Sequence, residues 1–457
     1  MAAPIQSLLN EICASEDPIE ELKTLRTAVF STPVSGLRQA VSGARLEIIF
    51  GLLNTNDKEQ IEVCVEILSR FLQALEPIQL AQNYKTALQS GLSHPDDSVK
   101  VLTLTQIGRV AAHADGVTQM LNSTEILCDV IQCISVERIA VAKEAIAALS
   151  KLSNTKAGLD ALFRSDLLNK LKDVMLTNDI IRYRVYELIV EVSSVSPVSL
   201  GYCANSSLIS QLLEELTGDD ILVRATAIEM VTSLAQSQHG RQYLAQQGIM
   251  DKISNMIIAA ESDAFSSLYL PGLVKFFGSL AIVDSPQQVC EKYPVFLEVV
   301  FSMAMNLDPT LTPVALDTLG VLGGTVEGKQ VLHKTGEKFT SVLKRISKAA
   351  SDGATELRVR CLEALAQLLT LPAIGCQPWG QQLMMDTPGF LEWVMDRSVG
   401  TGKEAKDCKF ELVGALLSSS SAQEIFGAHN YLKLKTYLNE GPYYINAVSS
   451  VTTEGAD

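Results

Sequence analysis

A glycine recurs at a fixed distance behind an apolar residue along this chain. The same interval of 17 residues separates the members of three pairs, Val99/Gly116, Val141/Gly158 and Val223/Gly240. Equivalent positions continue in steps of 36 to 49 residues: Val63, Val99, Val141, Tyr183, Val223, Tyr269, Val314, Val359 and Cys408. Armadillo and HEAT repeats have periods of about 40 to 47 residues, and each repeat must stack on its neighbours to bury its apolar face. We therefore predict an all-α, armadillo/HEAT-like right-handed superhelical solenoid of about nine or ten repeats.

The chain divides into three predicted segments. Residues 1–55 are expected to form N-terminal capping helices, residues 56–440 the repeat solenoid, and residues 441–457 a disordered tail, because the last ten residues are small and polar. The repeat spacing breaks once, where 21 residues separate Val359 from Gly380. The surplus falls in residues 371–378, which contain two prolines and a glycine. We expect an irregular junction there.

Composition restricts the classes of partner. The net charge of -15 disfavours nucleic acid and anionic membrane surfaces, and it favours basic protein surfaces. The nine cysteines form no CxxC pair and the five histidines are dispersed, so we expect reduced cysteines, no metal site and no cofactor. The apolar stretch 264–283 is interrupted by Leu270-Pro271-Gly272 and is predicted to be a buried helix instead of a membrane span. The start of the chain has no basic leader, which predicts a cytoplasmic protein that is also compatible with the nucleus.

No catalytic motif is present, so we expect this chain not to be an enzyme. The acidic pairs Asp96/Asp97 and Asp219/Asp220 precede apolar helix starts, where a carboxylate accepts backbone N–H groups. The recurring glycine is interpreted as a C-cap that turns the chain into the next repeat. One basic residue follows many of the anchors, and local ion pairs with the turn acids are the favoured explanation: Lys100, Arg184, Arg224, Arg360 and Lys409.

The candidate partner surface is the concave face lined by the last helix of each repeat. Its predicted members are Gln106, Arg109, Lys151, Glu187, Glu191, Ser233, Lys275 and Ser279. Armadillo proteins that bind extended peptides usually carry asparagines on this face, and the innermost positions here are Arg109, Lys151, Ser233 and Ser279. A folded partner is therefore favoured, and a general armadillo-type adaptor that binds an extended peptide or another protein stays as the alternative.

Four segments outside the generic repeat pattern resemble one known family. They are TNDIIRYRVYEL (177–188), HGRQYLAQ (239–246), DSPQQVCEKYP (284–294) and EGPYY (440–444). These segments are similar to the family of the 26S proteasome non-ATPase regulatory subunit 5, and the likeness extends from about Pro18 to the C-terminus. Compared with that family, this chain is shorter by about one repeat near residues 371–377.

The resemblance implies a chaperone for assembly of the base of the proteasome regulatory particle. Such a chaperone binds the C-terminal domains of ATPase subunits in an early module and dissociates before the mature proteasome forms. The implied partners are regulatory subunits 7 and 4 and non-ATPase subunit 2, with no nucleic acid, no membrane and a monomeric chain when alone. Release follows if the chaperone covers a surface that a later subunit must occupy.

Overall fold

The computed structural model describes residues 2–15, 17–41, 45–122, 124–306, 308–352, 378–386, 389–398 and 403–444, together with 357, 360, 361, 363, 364 and 368. Within these ranges the chain forms helices joined by turns, and it contains no strand. The chain forms two compact units, residues 1–216 with 237–243, and residues 217–236 with 244–457. The all-α class predicted from the repeat period is confirmed.

Unit 1 contains short helices that alternate with longer ones. In chain order they are α1 (Ala2–Ala14), α2 (Ile19–Ser31), α3 (Val34–Val41), α4 (Glu47–Leu52), α5 (Lys58–Ala74), α6 (Pro77–Asn83), α7 (Lys85–Leu92), α8 (Asp97–Ala111), α9 (Ala114–Leu121), α10 (Thr124–Cys133), α11 (Ile139–Leu152), α12 (Lys156–Arg164), α13 (Asp166–Met175), α14 (Asp179–Val195), α15 (Pro197–Asn205) and α16 (Leu208–Glu215). Helix α18 (Gln238–Gln246), which follows the first helix of unit 2 in the chain, is divided between the two units.

Unit 2 continues the alternation. Its helices are α17 (Ile221–Leu234), α19 (Ile249–Ala260), the 3-10 turn η1 (Ser266–Leu268), α20 (Leu270–Val283), α21 (Pro286–Lys292), α22 (Pro294–Asn306), α23 (Thr312–Gly323), α24 (Val326–Lys334), α25 (Glu337–Asp352), α26 (Pro378–Asp386), α27 (Phe390–Met395), α28 (Lys403–Leu417) and α29 (Ala422–Glu440).

Helices that occupy the same place in successive repeats pack side by side. In unit 1, α6, α9, α12 and α15 form one layer, and α7, α10 and α13 form a second. The longest helices, α5, α8, α11 and α14, form a third layer. In unit 2, α17, α20 and α23 form the corresponding layer of long helices. We call α5, α8, α11 and α14 the long-helix layer of unit 1, and α17, α20 and α23 the long-helix layer of unit 2. Three helices per repeat is the armadillo arrangement.

The apolar anchors explain why the layers stack. Five of them are buried: Val63, Val99, Val141, Val223 and Tyr269. Tyr183 and Val314 are half-buried. Each buried anchor lies at or near the start of its long helix, or just before it in the case of Tyr269, and the following apolar positions at helical spacing extend the same buried face. Val359 and the side chain of Cys408 lie outside the described residues.

The recurring glycine has a different role from the predicted C-cap. Gly116 and Gly158 lie in the first turn of α9 and α12 and do not adopt positive φ. A Cβ atom on Gly116 would lie 2.3 Å from the Val110 carbonyl oxygen, and one on Gly158 would lie 1.9 Å from the Leu152 carbonyl oxygen. The prediction was wrong about the cause: glycine is required because the new helix starts against the last carbonyls of the previous one.

The predicted aspartate caps are confirmed. Asp96 accepts a hydrogen bond from the Ser98 backbone N–H at 2.8 Å, and Asp220 accepts one from the Leu222 N–H at 2.9 Å. The Ser98 hydrogen bonds hold the pKa of Asp96 below its usual range. These carboxylates satisfy backbone donors that a helix start leaves unpaired.

The long apolar stretch is a core helix, as predicted, only from Leu270 onward, because residues 264–269 precede that helix and Phe265 and Leu268 are exposed. Helix α20 begins at Leu270, immediately before Pro271, and buries Val274, Phe276 and Phe277. No helix in the described part of the chain is long and apolar enough to cross a membrane. Five cysteines behave as buried small apolar residues, and burial raises the pKa of each thiol to about 11 or 12: Cys64, Cys133, Cys203, Cys290 and Cys361.

Two predictions fall largely outside the described residues. The irregular junction at residues 371–378 is described only at Pro378, the first residue of α26. The tail predicted at 441–457 is described only for residues 441–444, which form a turn in which Tyr443 and Tyr444 are exposed.

Candidate partner-binding surface

The long-helix layer of unit 1 is held together by polar contacts as well as by its buried face. The Thr105 hydroxyl in α8 donates to the Glu144 carboxylate in α11 at 3.1 Å. Gly108 in α8 leaves room for the Lys151 side chain, whose Nζ lies 3.4 Å from the place a Cβ on residue 108 would occupy. The lysine stem therefore lies across the neighbouring helix, and its ammonium group stays at the surface.

Gln106 and Arg109, two predicted partner-binding residues, instead join neighbouring repeats. Gln106 is 1% exposed, and its side-chain oxygen accepts from Arg109 Nη1 at 2.8 Å. Arg109 also donates to the carbonyl oxygens of Leu72 at 2.7 Å and Leu75 at 3.0 Å, at the C-terminal end of α5. Burial lowers the pKa of Arg109, although Glu76 opposes the shift. These two residues are not available to a partner, because the last carbonyls of α5 occupy the guanidinium group.

The same contact recurs elsewhere in the chain. Arg184 in α14 donates to the carbonyl oxygens of Ile134 at 2.8 Å and Val136 at 2.7 Å, just after α10 ends. In unit 2, Arg224 donates to the Gly218 carbonyl oxygen at 2.8 Å. These basic residues are structural, as favoured from the sequence, but their acceptors are backbone carbonyls and not the expected turn acids.

Carboxylate partners are found for two others of the basic series. Lys100 pairs with Asp97 of its own helix start at 3.5 Å, as predicted. Arg360 pairs with Asp317 of α23 at 3.2 Å. The buried Lys409 donates to the Trp393 and Asp396 carbonyl oxygens at 2.9 Å each, and burial lowers its pKa to about 8.

The remaining predicted residues of unit 1 lie at the surface. Lys151, Glu187 and Glu191 are exposed on α11 and α14. On α11 the layer exposes Lys143 and Lys151, and the Lys151 Nζ lies toward Gly108 of α8. On α14 it exposes the carboxylates of Glu187 and Glu191, one helical turn apart. This surface of mixed charge suits a folded partner with complementary charged residues.

A cluster behind this face holds α14 in place. Arg182 pairs with Asp179 at 2.7 Å and with Glu215 of α16 at 3.0 Å. The Tyr186 hydroxyl donates to the same Glu215 at 3.4 Å. Burial, reinforced by Glu215, raises the pKa of Tyr186. The cluster fixes the rotation of α14 about its axis, and therefore the direction in which Glu187 points.

The predicted residues of unit 2 lie on α17 and α20. Ser233 and Lys275 are exposed, and Ser279 is half-buried. The Ser233 hydroxyl donates to the Glu229 carbonyl oxygen of its own helix at 3.1 Å. The Ser233 hydroxyl is thus already bonded within its own helix. Of the predicted residues of unit 2, Lys275 is the charged one, and it is exposed on α20.

The arrangement offers a surface for protein binding. Among the described residues, no group of three or more histidine, cysteine, aspartate or glutamate side chains is placed to hold a metal ion. The residues of the predicted set that stay exposed on the long-helix layers are charged or small polar groups that can form ion pairs and hydrogen bonds. The same helices also expose large apolar side chains: Ile139, Ile180, Val195, Leu222 and Ile282.

Comparison with known proteins identifies close relatives. The sequence model of the family described as "Proteasome non-ATPase 26S subunit" matches residues 1–374 and 369–457. The chain is 52% identical over 503 aligned positions to "26S proteasome non-ATPase regulatory subunit 5" of Bos taurus and 51% identical over 504 positions to that of Homo sapiens, with all of each chain covered. The relative of the same name from Drosophila melanogaster is 24% identical, over 87% of this chain and 86% of its own.

The alignment length shows that positions are missing from this chain, and the family match shows where it is interrupted. The chain has 457 residues, so an alignment of 503 positions that covers both chains completely leaves 46 positions with no counterpart here. The two matched parts of the family model meet at residues 369–374. The expectation of a form about one repeat shorter, with the loss near residues 371–377, is therefore confirmed.

Solved structures identify the fold. A crystal structure of importin beta is similar with a TM-score of 0.57 at 14% identity, over 96% of this chain and 60% of that one. At this identity the likeness concerns the fold alone, an armadillo/HEAT-like helical solenoid.

Proposed function

This chain belongs to the family of the 26S proteasome non-ATPase regulatory subunit 5, and on that premise we propose that it is an assembly chaperone for the base of the proteasome regulatory particle. The observation that carries the proposal is the match to a relative of that name, at 52% identity over the whole of both chains. The relative's name refers to the proteasome, and the step from regulatory subunit to chaperone is ours.

We propose that the chain binds the C-terminal domains of ATPase subunits 7 and 4 within an early module that also contains non-ATPase subunit 2. The long-helix layer of unit 1 supports this, because it offers Lys151, Glu187 and Glu191 on a rigid scaffold. A rigid surface that is already arranged before binding loses little conformational entropy in the complex.

Release is proposed to occur by competition. A chaperone that covers a surface needed later in assembly is displaced when the next subunit binds the same area more tightly. This step requires no chemistry by the chain itself, so we propose that it is not an enzyme. We also propose that it acts in the cytoplasm, with the nucleus as a second compartment.

The test is capture of purified ATPase C-terminal domains by the full chain. Selective capture of the subunit 7 or subunit 4 domain is expected, with little capture of other ATPase domains. Failure with all of the ATPase domains, from a sample whose circular dichroism shows folded helices, would contradict the proposal.

Charge reversal on the long-helix layer tests the surface. The double variant Glu187→Lys/Glu191→Lys and the single variant Lys151→Glu are each expected to weaken capture about tenfold or more, since a like charge replaces a complementary one. Lys156→Glu is the matched control, because Lys156 is exposed on α12, a first helix of its repeat. Equal capture by all of these variants would remove this layer from the proposal.

A further inference from the structure

Four large apolar side chains are exposed in two segments of unit 2, the start of α17 and the connection from the end of α19 to α20. Leu222 is 71% exposed, Ile258 54%, Phe265 61% and Leu268 55%. Ile258 lies in the last turn of α19, Phe265 and Leu268 lie in the connection to α20, and Leu222 lies in the first turn of α17. We call these four residues the apolar edge. The packing of the solenoid does not account for them, because they face away from the core.

Contacts within unit 2 bring the two parts of the apolar edge together. The turn η1, which contains Leu268, packs against α17. The guanidinium carbon of Arg224, two residues after Leu222, lies 5.1 Å from the ring centre of Tyr269, the residue after Leu268. The start of α17 and the η1 segment are therefore neighbours in unit 2.

The connection that carries Phe265 and Leu268 is held in a defined shape. Asp263 accepts from the Phe265 backbone N–H at 2.9 Å and from the Tyr269 hydroxyl at 2.8 Å. Tyr269 is buried and fixes one end of the connection to the core. The apolar side chains are thus held outward by a bonded turn, which lowers the entropy cost of binding to them.

The charges around the apolar edge are mainly acidic. Asp219 and Asp220 precede Leu222, and Glu261 and Asp263 lie between Ile258 and Phe265. Arg224 is the basic residue of these two segments, 217–224 and 258–269, and it is half-buried with its guanidinium group on the Gly218 carbonyl oxygen. An acidic rim around an apolar centre selects a partner with apolar residues flanked by lysine or arginine.

We propose that the apolar edge is a docking site for a basic amphipathic helix of a partner protein. The described part of this chain contains no sheet edge to which a strand of the partner could be added. Recognition of the partner must therefore use side chains, as when a helix binds through its apolar face to a complementary surface. A second copy of the chain is disfavoured because each copy carries a net charge of -15. This site goes beyond the proposed function, since it does not use the residues assigned to ATPase binding.

The test uses a labelled peptide of about 18 leucine and lysine residues in amphipathic order, with fluorescence anisotropy as the measurement. Two control peptides accompany it, a scrambled one of the same composition and an amphipathic one with glutamate in place of lysine. The full chain is expected to bind the first peptide at least about tenfold more tightly than either control.

Variants of the chain then locate the site. Leu222→Ser/Phe265→Ser/Leu268→Ser is expected to weaken binding of the amphipathic basic peptide about tenfold or more. The matched control is Leu176→Ser, because Leu176 is an exposed leucine of unit 1 and outside the edge. Unchanged binding by the triple variant, an equal loss in Leu176→Ser, or equal binding of the scrambled peptide would each overturn the proposal.

A charge variant gives an independent test in which the apolar edge is intact. Asp219→Lys/Glu261→Lys changes two exposed acids whose side chains take part in no described helix cap or ion pair, although Glu261 occupies the C-cap position of α19 through its backbone. It is expected to weaken binding of the basic peptide and to strengthen binding of the glutamate peptide. No change with either peptide would overturn the assignment of a basic partner. Capture of ATPase domains, measured on the same samples, distinguishes failure here from failure of the proposed function.

Discussion

Replacing Gly158 by alanine tests how consecutive repeats are joined. Gly158 lies in the first turn of α12, where Thr155 caps the helix by accepting from the Gly158 N–H at 3.0 Å. A Cβ atom at this position would lie 1.9 Å from the Leu152 carbonyl oxygen and 2.7 Å from its carbonyl carbon. The end of α11 and the start of α12 would have to separate by about 1.5 Å to reach ordinary contact distances.

The expected cost follows from two opposing effects. Overpacking against a backbone that must move costs about 1 to 3 kcal/mol, and it lies toward the upper end here because the obstructing atoms belong to the main chain. Alanine gains up to about 1 kcal/mol over glycine in a helix. The net loss of local stability is about 2 kcal/mol, which corresponds to a roughly 30-fold shift in a local opening equilibrium.

Hydrogen exchange of the backbone amides measures this effect where it occurs. Solenoid stability is approximately a sum of local and nearest-neighbour contributions, so exchange in α11 and α12 is expected to be about 30-fold faster in Gly158→Ala. Exchange in α5 should change little.

Gly201→Ala is the matched control, because Gly201 lies within α15 and an added Cβ there meets no atom within 4 Å. It should leave exchange unchanged or slow it. Gly158→Ala with protection equal to that of the unmodified chain would refute the reasoning, since the close approach would then impose no requirement for glycine.

Three further substitutions follow from the same contacts. Arg109→Met should lower the unfolding free energy measured by chemical denaturation by about 2 kcal/mol, because the Leu72 and Leu75 carbonyls lose a charged donor. The control Arg138→Met, at an exposed arginine, should change it by less than about 0.5 kcal/mol. Asp220→Ala should cost about 1 kcal/mol through loss of the α17 cap, and unchanged thermal unfolding would contradict it. Burial lowers the folded-state pKa of Lys329 to about 8, so at this site the unfolded chain binds more protons above that pH, and the amine contributes a rise of the unfolding free energy from about pH 8 toward 10. The buried thiols, whose pKa is raised, contribute with the opposite sign, so the effect is measured as the difference between the unmodified chain and Lys329→Met. Lys329→Met should flatten this rise, and an identical pH profile would show that the buried amine does not titrate as described.

The sequence predicted the stacking of the repeats better than it predicted the contacts between them. Val99 and Val141 are buried as expected, because a buried anchor must recur once in each repeat whatever the details of the turns. The glycine was assigned the wrong role, since one spacing fits both a C-cap and a close approach and only backbone geometry separates them. Gly116 lies six residues after Val110, and Gly158 lies six residues after Leu152. This constant spacing was visible in the sequence and could have suggested the correct role.

The residues of the predicted partner surface differ in exposure for a physical reason, and their role in binding stays a prediction. Lys151 and Glu187 are exposed because their positions point away from the buried stripe of their helices. Gln106 lies seven residues after the anchor Val99 and therefore on its buried face. Arg109 precedes Lys151 by 42 residues, the usual repeat step, but the carbonyl groups at the end of α5 accept from its guanidinium group. Backbone acceptors of a neighbouring repeat leave no mark in the sequence, so this outcome required the structure.

The most direct test of the account compares the affinity of the chain for two states of the same partner. Binding of the purified chain to the isolated C-terminal domain of ATPase subunit 7 or 4 is measured beside its binding to the intact 26S proteasome. Under the proposed release by competition, at least one isolated domain is expected to bind at least about 100-fold more tightly than the finished proteasome, because assembly would cover the surface that the chain binds. Equal affinity for both states, or tighter binding of the intact proteasome, would contradict a chaperone that leaves before assembly is complete.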